Sequence, residues 1–194
     1  MDREIQNNRM KKCFTDAAKE ILINEGVVNV SVRKVGEVTG YSYATIYNYF
    51  KNLEHLLWSV GLDFIQDIIT IYENDFIKEV YTIEDLNELF IRYIDYYFTK
   101  PNVFKFFFFY QVGDPPEELK IELKRPSLEK YTINILQNLV HQNVIEQKEV
   151  KIISGLITNS VHGLLLMYFS NKRIITKEEI VINVRNIIRY LLEE

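Results

Sequence analysis

The 194-residue chain has little of what builds a disulfide-rich, metal-binding or membrane-spanning protein. Its single cysteine, Cys13, cannot form an internal disulfide. Four prolines and seven glycines leave few turn makers, which disfavours a β-rich fold and favours long uninterrupted helices. The longest apolar runs, FFFFY at 106–110 and LLLMYF at 164–169, fall far short of the ~20 residues of a membrane span. The opening MDREIQNNRMKK is polar and carries no apolar signal region. His55, His141 and His162 stand apart, with no HExxH pair and no cysteine cluster, so no metal site is expected. A glycine-rich phosphate loop and a GxSxG nucleophile elbow are also missing. These absences predict a cytoplasmic, all-α protein that is not an enzyme, has no cofactor and does not partner a membrane.

What is present is an ordinary globular composition, 47% hydrophobic and 26% charged, with a net charge of −4. The charge is uneven. Residues 1–55 hold eight Lys/Arg against seven Asp/Glu, whereas residues 56–194 hold fifteen against twenty. A polyanionic partner would therefore meet the N-terminal part.

That part reads as three short helices. Met10, Cys13, Phe14, Ala17, Ala18, Ile21 and Leu22 recur with a period of about 3.6, and Gly26 stands where a helix ends. Cys13 falls inside this stripe and is expected to be a small buried hydrophobe. Ser31 caps a second helix, VRKVGEVT, which Gly40 terminates, and Val30 with Val35 can staple its entry. Ser42 caps a third, running to about Tyr49. Two helices of about eight residues joined by a tight glycine turn form a helix-turn-helix. Neither is stable alone, so both must pack on the apolar stripe of the first.

In the third helix Ile46 and Phe50 face inward, with Ala44 and Asn48 on roughly the opposite side and Tyr43 and Tyr47 along one flank. A small, hydrogen-bonding face bordered by aromatic hydroxyls suits a DNA major groove.

SVRKVGEVTGYSYATIYNYFKNLEHLL, residues 31–57, resembles the signature of the TetR family of bacterial transcriptional regulators. The matching features are the Ser31 cap, Val35, Gly40, Thr45, the Ile46-Tyr47 and Tyr49-Phe50 pairs, Lys51 and Glu54. The resemblance implies a homodimeric ligand-responsive regulator, in the commoner mode a repressor, that places one recognition helix per subunit in the major groove of a palindromic operator. Carried over by position, Ser42, Tyr43, Ala44 and Asn48 fall where the family reads bases. Thr45, Tyr47, Tyr49 and Lys51 fall where it grips phosphates, and Ser31 and Arg33 where it touches phosphate or base edges. Tyr43 and Leu53 depart from the family's more basic choices. The second departure implies a shallower salt dependence, because the slope scales with the phosphates neutralised.

The implied organisation is a DNA-binding domain at 1–51 and a helical ligand-binding and dimerisation domain at 52–194, about nine helices in all. Asn52 caps a helix from Leu53 to about Lys78. Thr82 and Asp85 open the next, whose apolar stripe is Leu86, Phe90, Tyr93 and Tyr97 and whose Asp95 faces solvent. NVFKFFFFYQ reads as an interior helix, and VGDPPEE as a loop. Helices follow over 127–142, 148–169 and 177–192, the last opened by the Thr176–Glu179 capping box. Trp58, Tyr93, Phe107, Phe108 and His162 are the candidates for lining a pocket that takes a small lipophilic or aromatic effector. The last two helices, with Gly155, Asn159 and Gly163 on one face of the first of them, are expected to pair two subunits. The alternative is a helical ligand-binding or adaptor protein with a vestigial DNA-binding head.

Overall fold

The computed structural model describes residues 2–75, 78–120, 128–172 and 175–192. Among them every regular element is helical. The order is α1 (Asp2–Glu25), a 3-10 turn (Val27–Asn29), α2 (Val32–Thr39), α3 (Tyr43–Tyr47), α4 (Leu53–Asp75), α5 (Ile83–Thr99) and α6 (Pro101–Phe109). Then come the single turn α7 (Glu117–Lys120), α8 (Leu128–His141), α9 (Val150–Met167) with a π-helical turn (Tyr168–Lys172), and α10 (Lys177–Leu192). The expected helix start at Ser127, and residues 76–77 of the expected run to Lys78, lie outside the described residues. Packing divides the chain into two compact units. The first joins Met1–Gln66 to Lys100–Arg125, and the second joins Asp67–Thr99 to Pro126–Glu194.

The first unit is built on α1. Phe14, Ala18 and Leu22 are fully buried and Ala17 and Ile21 nearly so; α2, with Val32 and Val35 buried, packs against α1, and α3, with Ile46 buried, packs against α2. Phe14 is the centre, with the rings of Tyr41 and Tyr49 at 5.5 and 5.6 Å. Cys13, expected in this stripe, is exposed instead, and Thr15 is buried. The stripe centres on Phe14, Ala18 and Ile21, and at about 100° per residue Cys13 falls on its flank.

α6 packs against α1, and Asn102 Nδ2 donates to the Ile23 carbonyl at 2.9 Å. Val103, Phe104 and Phe106 are buried, but Phe107 and Phe108 are only half-buried, and Phe109 is 48% exposed. The expectation of an interior helix is corrected. Four consecutive phenylalanines cover all sides of a helix, whereas one packing face accommodates only those about 100° to either side of its centre.

The second unit packs α5 against α8 and α10, and α9 against the same two helices. Leu86, Phe90, Tyr93 and Tyr97 form the buried stripe of α5. Asp95, half-exposed, pairs with Lys177 at 2.7 Å. Both capping boxes close. Thr82 N–H donates to Asp85 Oδ2 at 2.8 Å while Asp85 N–H returns to Thr82 Oγ1, and Thr176 N–H reaches Glu179 Oε2 at 2.7 Å. Although burial raises the Asp85 carboxyl, hydrogen bonds from Lys78 and Thr82 hold it below its ordinary value. Asn138 of α8 and Gln142 just after it bond the backbone of Glu79 and Tyr81, fastening the approach to α5.

The stretch Val150–Ser170 is more apolar as a whole than its separate runs suggest. Its helix is long and apolar enough, by length and composition, to cross a membrane, and only a third of its most apolar part is buried. Ser154, Asn159, Ser160 and His162 break the run in sequence, but a helix pools the apolar residues between them onto shared faces.

Tyr93 Oη and His162 Nε2 lie 2.8 Å apart in this unit. Burial lowers His162 below its ordinary value, and burial, partly offset by a hydrogen bond with Tyr97, pushes Tyr93 up to about 12. As pH falls below about 6.5, the unfolded chain takes a proton on His162 before the folded one does. Stability is thus fully present above that pH and is lost on acidification. Thermal melts should show a lower midpoint at pH 5.5 than at pH 7.5, and His162→Gln should shrink the difference. An unchanged difference in the variant would assign the loss to other groups.

Candidate nucleic-acid interface and effector cavity

The turn between α2 and α3 is held by two glycines. Gly40 adopts φ 75°, the left-handed conformation that costs glycine least, and its N–H bonds Gly36 O. Gly36 has a steric role that spacing alone did not reveal. A Cβ there would stand 2.6 Å from Tyr41 O, and Tyr41 N–H donates to Gly36 O at 3.1 Å. The turn can close on α2 only because position 36 carries no side chain. A second glycine four residues before the terminating Gly40 was the available signal.

Ser31 and Ser42 both cap as expected, accepting from Lys34 N–H at 3.2 Å and Thr45 N–H at 3.1 Å. α3 ends at Tyr47 and not at Tyr49. Its last residues continue as a hydrogen-bonded turn, with Tyr49 N–H and Phe50 N–H both on Ile46 O. Buried His55 steadies the far side, accepting from Lys51 N–H at 3.3 Å, while Asn52 Oδ1 caps α4 by accepting from His55 N–H at 2.8 Å.

Ile46 is fully buried and Phe50 nearly so. That fixes the rotation of α3, so Ser42, Tyr43, Ala44, Tyr47 and Asn48 are exposed together, with Tyr43 at 63% and Tyr47 at 50%. The other named residues are placed differently. Thr45 is half-buried, with its hydroxyl 2.9 Å from that of Ser42. Tyr49 is half-buried against Phe14. Lys51 is exposed. Arg33 is exposed and lies 3.1 Å from Glu37 on the same face of α2, and Lys34 pairs with Glu25. The surface around α3 is thus rich in hydroxyls, while two of its nearby cations already have carboxylate neighbours.

The effector candidates separate. Trp58 and Phe107 line one cavity of about 630 Å³ within the first unit, together with Glu54, Ile65, Tyr110 and Asp114. Trp58 is fixed there by a bond from Nε1–H to Gly113 O at 2.8 Å. Phe108 stacks on Phe104 at 4.4 Å. Tyr93 and His162 belong to the second unit, where they bond each other. Glu54, Tyr110 and Asp114 were not anticipated as lining residues. For Glu54, Trp58, Leu62 and Ile65 the signal was a common face of α4.

Residues 14–60 match the family model described as bacterial regulatory proteins, tetR family. No curated protein matches the sequence. Solved structures of the same fold are similar over nearly the whole chain. FadR of Bacillus subtilis, in complex with stearoyl-CoA, superposes with a TM-score of 0.70 at 18% identity, covering 94% of this chain and 97% of its own. FadR of Thermus thermophilus, a TetR-family repressor in complex with lauroyl-CoA, gives 0.68 at 16%, covering 94% and 93%. NalD of Pseudomonas aeruginosa, the secondary repressor of the MexAB-OprM multidrug efflux pump, gives 0.62 at 15%, covering 95% and 98%. The helix-turn-helix and its flanking helices, residues 14–60, thus match the tetR family model, and the chain shares the fold of these solved regulators over nearly its whole length.

Proposed function

We propose that this protein is a cytoplasmic transcriptional repressor of the tetR family that binds a palindromic operator as a homodimer and is released by a small lipophilic or aromatic effector. Residues 1–51 form the reading head and residues 52–194 the effector and dimer domain. The observation that carries the reading is the rotation of α3. Buried Ile46 and Phe50 leave Ser42, Tyr43, Ala44, Tyr47 and Asn48 on one exposed face, as a major-groove reader requires. The effector half is supported by the aromatic cavity at Trp58 and Phe107, and by the acyl-CoA ligands held in two proteins of the same fold. Release requires that the effector prefer the state that does not bind DNA, since equal affinity shifts nothing. Selection from random double-stranded DNA with the purified protein should enrich a palindrome. No enrichment would favour the ligand-binding or adaptor alternative.

Dimerisation is assigned to α9 and α10. Ile152, Leu156 and Met167 of α9 and Ile182 and Tyr190 of α10 are exposed apolar side chains, and a Cβ at Gly155 or Gly163 would meet no atom within 4 Å. Small residues among exposed apolar ones allow two helix pairs to approach closely. Leu156→Glu would bury an unpaired charge in such an interface. Its dimer dissociation constant in sedimentation should rise about 100-fold or more, since the expected cost of breaking or mispairing a buried charge is about 3–5 kcal/mol. An unchanged constant would place the dimer contact elsewhere.

A further inference from the structure

We propose that the cleft formed in the first unit by α4 and the segment from Phe106 to Asp114 is a binding site for lipophilic organic cations. This rests on the effector-responsive reading above and names the chemical class that the cavity accepts.

The volume of about 630 Å³ falls within the range of about 300–1,000 Å³ typical of small-molecule pockets. Its walls carry the rings of Trp58, Phe106, Phe107 and Tyr110. Its charged lining residues are both carboxylates, Glu54 and Asp114, and no Lys or Arg lines it among the described residues. Neither carboxylate forms an ion pair among those residues, whereas Glu25, Glu37 and Asp63 of the same unit all do. Glu54 also lies directly against the segment after α6: a Cβ on Gly113 would come 2.9 Å from its Oε2. Gly113 in turn accepts the Trp58 indole N–H through its carbonyl. One loop glycine thus lies against both an aromatic side chain and a carboxylate of α4.

Aromatic faces attract cations, and two carboxylates without an ion pair among the described residues do the same, so both polar features of the cleft select one sign of charge. An anion of the same size would gain the apolar contacts and meet repulsion. A neutral lipophile would gain the contacts alone.

Trp58 is the only tryptophan of the chain, so its intrinsic fluorescence reports on this cleft directly. The test titrates the full chain with tetraphenylphosphonium and with tetraphenylborate, ions of nearly the same shape and opposite charge. The phosphonium should quench or shift Trp58 emission and bind about tenfold or more tightly than the borate. The double variant Glu54→Gln/Asp114→Asn, with an unchanged circular dichroism spectrum, should bring that ratio close to one. Equal binding of the two ions by the unaltered chain, silence of Trp58 towards both, or a preference that survives the double substitution would each overturn the site. Operator affinity, measured in the same titrations, separates this outcome from the parent reading. A lipophile that releases DNA while Trp58 stays silent to both ions leaves the regulator intact and removes this site. Phosphonium binding at Trp58 with operator affinity unchanged upholds the site and removes its effector role.

Discussion

Tyr47→Ala is expected to abolish operator binding while leaving the protein folded. Tyr47 is half-exposed on α3, and none of the ring contacts that centre on Phe14 involves it. Truncating it leaves the core of the first unit untouched, and surface changes of that kind usually cost less than about 0.5 kcal/mol of stability. On DNA the same hydroxyl is assigned to a phosphate, and a hydrogen bond to a charged group contributes about 1.5–3 kcal/mol. A symmetric dimer loses that contact twice, so affinity should fall about 10²- to 10⁴-fold. A gel-shift titration of the selected operator measures the loss, and a denaturant melt checks the fold. Binding within about threefold of the unaltered chain would show that α3 is not the reader.

Phe14→Ala should produce the opposite division. Phe14 is fully buried and carries Tyr41 and Tyr49 on its ring. Replacing a buried phenylalanine by alanine costs about 3–5 kcal/mol, a large part of the ~5–15 kcal/mol that holds a typical domain together. α2 and α3 are eight and five residues long and cannot persist without that support. DNA binding should therefore be lost together with a marked fall in the denaturation midpoint of the head. A variant that keeps its midpoint but loses DNA would mean that Phe14 acts on the contact surface, not through the core.

These two residues differ in how far sequence could resolve them. Both are aromatic residues of the N-terminal segment, and both fit a helical period. The inward rotation of α3 was legible because Ile46 and Phe50 are apolar at a spacing of four and the helix has no competing apolar face. Tyr49 was less so. Its assignment to the phosphate-gripping set says nothing of the ring that half-buries against Phe14, because that contact joins residues 35 apart in sequence. Cys13 shows the same limit from the other side. It satisfies the apolar period of α1, yet only the direction from which α2 and α3 dock decides whether it is covered, and it is not.

The amino-acid sequence alone determined the helix boundaries set by local chemistry. Caps at Ser31, Ser42, Asn52, Thr82 and Thr176 and the stop at Gly40 all involve groups within about four residues of each other, so spacing suffices to specify them. It also determined which face of α3 is buried. The tertiary structure decided what depends on contacts across tens of residues. It made Gly36 indispensable to the turn, opened α6 on the side of Phe109, and placed Trp58 and Phe107 at one cavity and Tyr93 and His162 in a hydrogen-bonded pair elsewhere. A side chain's period fixes its angle on its own helix, but only the neighbouring helices determine which angles are filled, and their positions are not written in any one segment.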